Sequence, residues 1–202
     1  MEVSIMSERK YPVITISREF GAGGHSIARV VSERLGIPYY DRDFAKQAAA
    51  RSGYSQEDID REGENLSRSA RLLDNILNNS AGYFSSHDAI YQAQKELILQ
   101  FAAEQDCIII GRCADYVLDG TENLVRLFVY AEIEERINKV REKGYFPEED
   151  ILKNIKRIDR ERRDYYRYYT GKSWENLENY DLMINTTKLS YDDMVECVVD
   201  YL

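Results

Sequence analysis

The stretch "SREFGAGGHSIA", Ser17 to Ala28, places three glycines between an apolar run, "PVITI", and a segment with helical spacing, "RVVSERLG". Glycines at a strand-to-helix turn let backbone amides close around an anion at the helix N-terminus, so the chemistry indicated is phosphate binding. A phosphate loop reads G-x-x-x-x-G-K-[ST], in which the lysine bridges phosphate charges and the hydroxyl serves a magnesium ion. With Ser26 on the hydroxyl position, Gly24 takes the second glycine, His25 the lysine and Glu19 the first glycine. Gly21, Ala22, Gly23, Gly24, His25 and Ser26 are therefore the candidate donor-phosphate residues, with Ser26 the candidate metal ligand. The lysine is missing in this register and in the one a residue earlier. Arg18 is the best substitute, because a guanidinium stays charged and grips phosphate through two parallel hydrogen bonds.

A dinucleotide fingerprint, G-x-G-x-x-G, competes for the same residues. Gly21 and Gly23 fit it, and Asp41 lies about twenty residues on, where a ribose-binding acid is expected. Its third position is Ser26, however, and "SREF" separates the strand from Gly21, a length that suits a loop wrapping an anion. The phosphate loop is the better match, and Asp41 is retained as an acceptor-side carboxylate. A second constellation follows Pro147. On a helix starting there, Ile151, Ile155 and Ile158 share one face, while Arg157, Arg160, Asp164 and Arg167 share the other. The chain carries 27 Lys and Arg against 36 Asp and Glu, a net charge of −9, so a basic face stands out and suggests convergence on an anion.

These residues need a scaffold to bring them together. "YPVITIS" and "IPYYD" read as strands flanking a helix built on Ile27, Val30, Val31 and Leu35 and stopped by Gly36. Asp43–Gly53 reads as helix, and from Tyr54 to Gln105 the pattern is helical and polar. "CIIIG" and "LVRLFVYA" are two further strands, the second feeding a helix with acids early and bases late. A last strand, "DLMIN", precedes a helix capped by Ser190 with Asp193 three residues on. Alternating strands and helices predict a parallel sheet covered on both faces, with ligands at the carboxyl ends of its strands. The acidic balance argues against nucleic acid as a partner. No apolar run reaches the length of a membrane span and no signal peptide is evident, so a cytoplasmic protein without a membrane partner is expected. Cys107, Cys113 and Cys197 lack metal-ligand spacing, and there are only two histidines.

Taken together, "ITISREFGAGGHSIARVVSERLGIPYYD", "IIIGR", "RLFVYAEIEERI", "RERRDYYR" and "DLMINTTKLSYDDMVECV" resemble the cytidylate kinase family of P-loop nucleoside monophosphate kinases, most closely its cytidylate kinase-like branch. The resemblance implies a single α/β domain over 1–202, a three-layer P-loop fold with a parallel five-stranded sheet. Its core would be 9–51 and 106–202, with a helical acceptor-binding insertion at about 52–105 and a lid at about 144–174. It implies transfer of the γ-phosphoryl group of ATP, with Mg2+, to a CMP-like nucleotide or another small phosphorylated acceptor. The alternative is a nucleotide-binding sensor of weak or no activity, motivated by the absent lysine. The family's R-D-x-x-D-x-x-R pattern falls on Arg160, Glu161, Asp164 and Arg167. By that resemblance Arg160 and Arg167 hold the acceptor phosphate and flank the transferred group, Asp164 contacts the acceptor sugar, and Arg112 is a further phosphate ligand. Where the family carries an acid after that arginine, this chain has Cys113. The reading leaves room for a homo-oligomer.

Overall fold

The computed structural model describes residues 11–41 and 86–202. The helix expected at Asp43–Gly53 and the polar segment up to residue 85 lie outside the described residues. Five strands, β1 (Val13–Arg18), β2 (Tyr39–Tyr40), β3 (Ile108–Ile110), β4 (Leu124–Tyr130) and β5 (Leu182–Asn185), form one sheet in the order β2-β3-β1-β4-β5. Every pairing is parallel, as the alternation of strand and helix predicts. β1 is central, paired to β3 from Ile14 to Ile16 and to β4 along its whole length. Its first five residues are buried, which is why "VITIS" reads as an apolar run and not as an alternating strand.

The period of two sends Ile14 and Ile16 to one side of the sheet and Val13 to the other. On the first side they meet α1 (Gly24–Leu35) and, near the carboxyl end, α6 (Tyr191–Tyr201) through Ile27, Val31, Met194 and Val198. Both helices end or begin where the chain demands. Gly36 at φ 68° accepts the left-handed turn that closes α1, and the Ser190 hydroxyl accepts the Asp193 amide at 3.2 Å. On the other side Val13 and Ile109 pack against α2 (Ser86–Glu104) and the short α3 (Ala114–Val117). Leu97, Ile98 and Ala102 of α2, within the expected insertion, thus cover the sheet.

Two helices remain. α4 (Ile133–Glu142) follows β4, and α5 (Ile151–Thr170) returns along the carboxyl edge of the sheet. Ile151 and Ile155 bury against Val140 of α4. Further on, Tyr165 and Tyr166 enter an aromatic cluster with Phe128, Trp174 and Tyr180. Two buried hydrogen bonds set the position of α5: the Tyr166 hydroxyl donates to Asp115 of α3 at 2.6 Å, and the Tyr165 hydroxyl donates to Gln94 of α2 at 3.1 Å. Tyr169 stacks on Tyr91 with ring centroids 3.8 Å apart.

Ile98 is fully buried. Truncating it to alanine should lower the unfolding free energy by about 2 to 5 kcal/mol in urea titrations, whereas a loss below about 1 kcal/mol would show that α2 is not part of the core. Burial pushes the Asp115 carboxyl above the usual carboxylate range, and the Tyr166 hydroxyl offsets part of that shift. The folded chain then keeps a proton that the unfolded chain releases, so this group's stabilising contribution fades as pH rises through the raised value. Asp115→Asn keeps an acceptor for Tyr166 and removes the buried charge. Its Tm relative to the unsubstituted protein should therefore climb as pH rises above the ordinary carboxylate range, about pH 4. A pH-independent difference would contradict this account.

Candidate active site

The turn after β1 lies at the carboxyl end of the sheet, between the central strand and α1. Gly21 at φ 81° and Gly23 at φ 89° take left-handed conformations that side chains resist. Gly24 is excluded from carrying a side chain by a different constraint: a Cβ there would lie 2.8 Å from Cβ of Arg18. Gly23 is the N-cap of α1 and offers no side chain to the amides of the first helical turn. Ala22 is fully buried, and its carbonyl accepts the Thr186 hydroxyl at 2.8 Å. The result is a rigid cradle whose open amides and helix dipole favour an anion.

Three elements hold the cradle, and charge does most of the holding. Arg136 of α4, only 5% exposed, donates through Nε to the Phe20 carbonyl at 2.8 Å and pairs with Glu19 at 3.1 Å and with Asp159 of α5. Asp159 accepts the Phe20 amide at 2.8 Å. Glu19 accepts the Ala131 amide at 3.2 Å, while its own amide donates to the Val129 carbonyl at 2.9 Å. Burial pushes the Glu19 carboxyl up, and Arg136 opposes the shift. Glu19 stands where the phosphate-loop pattern has its first glycine, and here the side chain bolts the loop to the end of β4.

A second strained turn follows β3. Gly111, Arg112 and Cys113 are consecutive residues at φ 73°, 61° and 55°. For the two non-glycine residues this costs on the order of 1 kcal/mol or more each. The turn delivers Arg112, 6% exposed, into a cleft that Arg18 and Arg162 also line, with Tyr165, Tyr166 and Trp174 as its walls. Among the described residues, no acidic residue lines that cleft. Arg162 donates to the Arg18 carbonyl at 2.9 Å and lies over the Phe20 ring, 5.7 Å from its centroid.

The residues singled out in the sequence are thus distributed unequally. Gly21 to Ser26 form the cradle, with Ser26 half-buried in the first turn of α1, and Arg18 and Arg112 meet in the adjoining cleft. His25 is exposed, with Nδ1 2.6 Å from Asp41 and its ring edge-on to Tyr39. Arg160 and Arg167 are exposed, and Asp164 is half-buried. It is Arg162, not Arg160 or Arg167, that reaches the loop from α5 in this structure. Arg157 is engaged by Glu161 at 2.8 Å and by Asn154 at 3.3 Å. Arg136, Asp159 and Arg162 were not among the sequence candidates. The available signal was Arg162's position on the helical wheel, about 20° from Ile151 and on the packing face. An arginine on that face must find a buried acceptor or anion.

Because Arg136 is buried among two carboxylates and a carbonyl, Arg136→Ala should cost about 3 to 5 kcal/mol in urea denaturation. A cost below about 1 kcal/mol would show that the cradle does not depend on this residue.

Comparison with known proteins agrees with this geometry. The model of the cytidylate kinase-like family matches residues 13–188. The cytidylate kinase of Archaeoglobus fulgidus is 24% identical over 189 residues, covering 92% of this chain and 92% of that protein. That of Pyrococcus horikoshii is 25% identical over 195 residues, covering 94% and 89%. Among solved structures, an uncharacterised protein from Eubacterium ventriosum aligns with a TM-score of 0.71 at 24% identity, covering 94% of this chain and 97% of that one. Shikimate kinase from Acinetobacter baumannii, in complex with shikimate, aligns at 0.55 and 13% identity, covering 96% and 93%. Both share the fold. With a glycine cradle at the central strand, arginines around it and a family match across nearly the whole chain, the protein belongs to the cytidylate kinase-like family and is a nucleotide kinase-like phosphotransferase on a P-loop fold.

Proposed function

We propose that the protein transfers the γ-phosphoryl group of ATP to a nucleoside monophosphate, CMP-like in the first instance, or to a related small phosphorylated acceptor. The observation that carries this reading is a helix N-terminus without a side-chain cap, beside a cleft that Arg18, Arg112 and Arg162 line. Phosphoryl transfer asks a protein chiefly for alignment and for neutralisation of charge. The cradle residues Gly21 to Ser26 supply amides to the donor phosphates, and the tight approach of Gly24 to Arg18 leaves no room for a side chain there. Ser26, in the first turn of α1, would hold a magnesium ion arriving with the nucleotide. Such an ion supplies charge neutralisation between the phosphates.

In this reading Arg18 and Arg112 grip the phosphate groups that face each other across the cleft. Asp164 is the carboxylate assigned to the acceptor sugar, and Asp41 is a further acceptor-side carboxylate. Arg160 and Arg167 face solvent, so a role for them at the acceptor phosphate requires α5 to turn or an acceptor to bridge to its outer face. The acceptor itself would be received by the segment at about 52–105, and residues 144–174 would act as the lid that excludes water during transfer.

A coupled assay tests this directly. With ATP and magnesium, a panel of nucleoside monophosphates and small phosphorylated acceptors should yield ADP at a rate that one acceptor class stimulates. ATP-induced thermal stabilisation without acceptor-stimulated turnover across the panel would replace the transferase by a nucleotide sensor. No helix among the described residues is long and apolar enough to cross a membrane, so the assay needs no lipid.

A further inference from the structure

We propose that Tyr191, the first residue of α6, receives the nucleoside of the phosphate donor, its ring covering the base. This rests on the phosphotransferase reading above and assigns the end of the donor that the glycine cradle does not hold. The observation behind it is a close approach between elements far apart in sequence. A Cβ added to Gly23, the N-cap of α1, would lie 3.2 Å from the Tyr191 hydroxyl. The side chain thus spans from the start of α6 to the rim of the cradle, hydroxyl foremost and ring behind it.

The order of the strands says which flank of the cradle this is. β1 is central, with β3 and β2 on one side and β4 and β5 on the other. Arg112, a phosphate ligand in the reading above, follows β3, and Asp41, its acceptor-side carboxylate, follows β2. A donor whose phosphates occupy Gly21 to Ser26 then has the opposite flank for its nucleoside. The end of β4 on that flank is closed, because Glu19 accepts the Ala131 amide and pairs with Arg136. The turn from β5 into α6 is left to receive the base, and Tyr191 stands at its end.

That turn is a fixed platform. Thr186, only 4% exposed, donates its hydroxyl to the Ala22 carbonyl at 2.8 Å and its amide to the Tyr130 carbonyl at 2.9 Å. The Thr187 hydroxyl accepts the Glu132 amide at 2.8 Å, and the Ser190 hydroxyl caps α6. The backbone that carries Tyr191 is thereby tied to the cradle and to β4 before any ligand arrives. Packing does not require a tyrosine there. Met194, Val195 and Val198 anchor α6 in the core, whereas Tyr191 and Leu189 each remain 41% exposed. An exposed ring beside an exposed leucine, at the rim of a site built for a polyanion, suits a molecule that joins an apolar base face to a phosphate chain.

The test is calorimetric titration without acceptor, using magnesium with either ATP or tripolyphosphate, which carries the same phosphate chain and no nucleoside. Tyr191→Ala should weaken ATP binding by about tenfold or more and leave tripolyphosphate binding within about threefold. Tyr191→Phe keeps the ring and should hold ATP affinity within about threefold of the unsubstituted protein. Tyr201→Ala, at the exposed far end of α6, should leave both ligands within about twofold. An unchanged ATP affinity in Tyr191→Ala, or equal losses for ATP and tripolyphosphate, overturns the proposal. ATP that fails to bind the unsubstituted protein overturns this inference and the phosphotransferase reading together. A negative acceptor panel, with the difference between ATP and tripolyphosphate intact, refutes the transferase and leaves Tyr191 as the nucleoside contact.

Discussion

The buried pair of Arg136 and Asp159 is the constraint on which the site depends. The two side chains come from consecutive helices, and between them they hold both the amide and the carbonyl of Phe20. A glycine-rich turn is otherwise the most pliable stretch of a chain, since each glycine loses much backbone freedom on ordering. Here its first residues are fixed at both backbone groups and at the Glu19 side chain. The cost of burying the charges is met by mutual pairing and by backbone hydrogen bonds that leave few valences open. What results is a preorganised cradle, which is the property that electrostatic catalysis requires.

The same network gives α5 a double identity. Its packing face carries Ile151 and Ile155 into the core, then Asp159 and Arg162 into the loop, then Tyr166 onto Asp115. Hydrophobic, ionic and hydrogen-bonded contacts therefore follow one another along a single helical stripe. The opposite face keeps the exposed arginines, where salt screening and hydration make individual charges weak contributors to stability. A basic face and an arginine that reaches the loop thus coexist on one helix, about half a turn apart.

Much of the architecture could be read locally. The strands around Ile14, Ile109 and Leu127 are short apolar runs bounded by polar residues, and Gly36, Ser190 and Asp193 mark helix ends through chemistry confined to a few residues. The cradle was legible for the same reason, because a left-handed turn and a close backbone approach leave glycine as their trace. The roles of Glu19 and Arg136 were not legible. Glu19 interrupts the expected pattern, and only the arrival of α4 explains it. Cys113 likewise departs from the pattern, and it stands in a left-handed turn with Gly111 and Arg112 that local sequence did not mark.

By itself, then, the amino-acid order determined a parallel α/β fold, the place of the glycine cradle and the presence of an arginine-rich helix, since period, caps and turn residues act within a few positions. Which arginine meets the cradle was decided only by tertiary structure. A helical wheel separates the two faces of α5 but does not say which face the loop will occupy. That choice came with the docking of α5 against α4, which sets Asp159 on Arg136 and turns Arg162, on the same helical stripe, toward the loop.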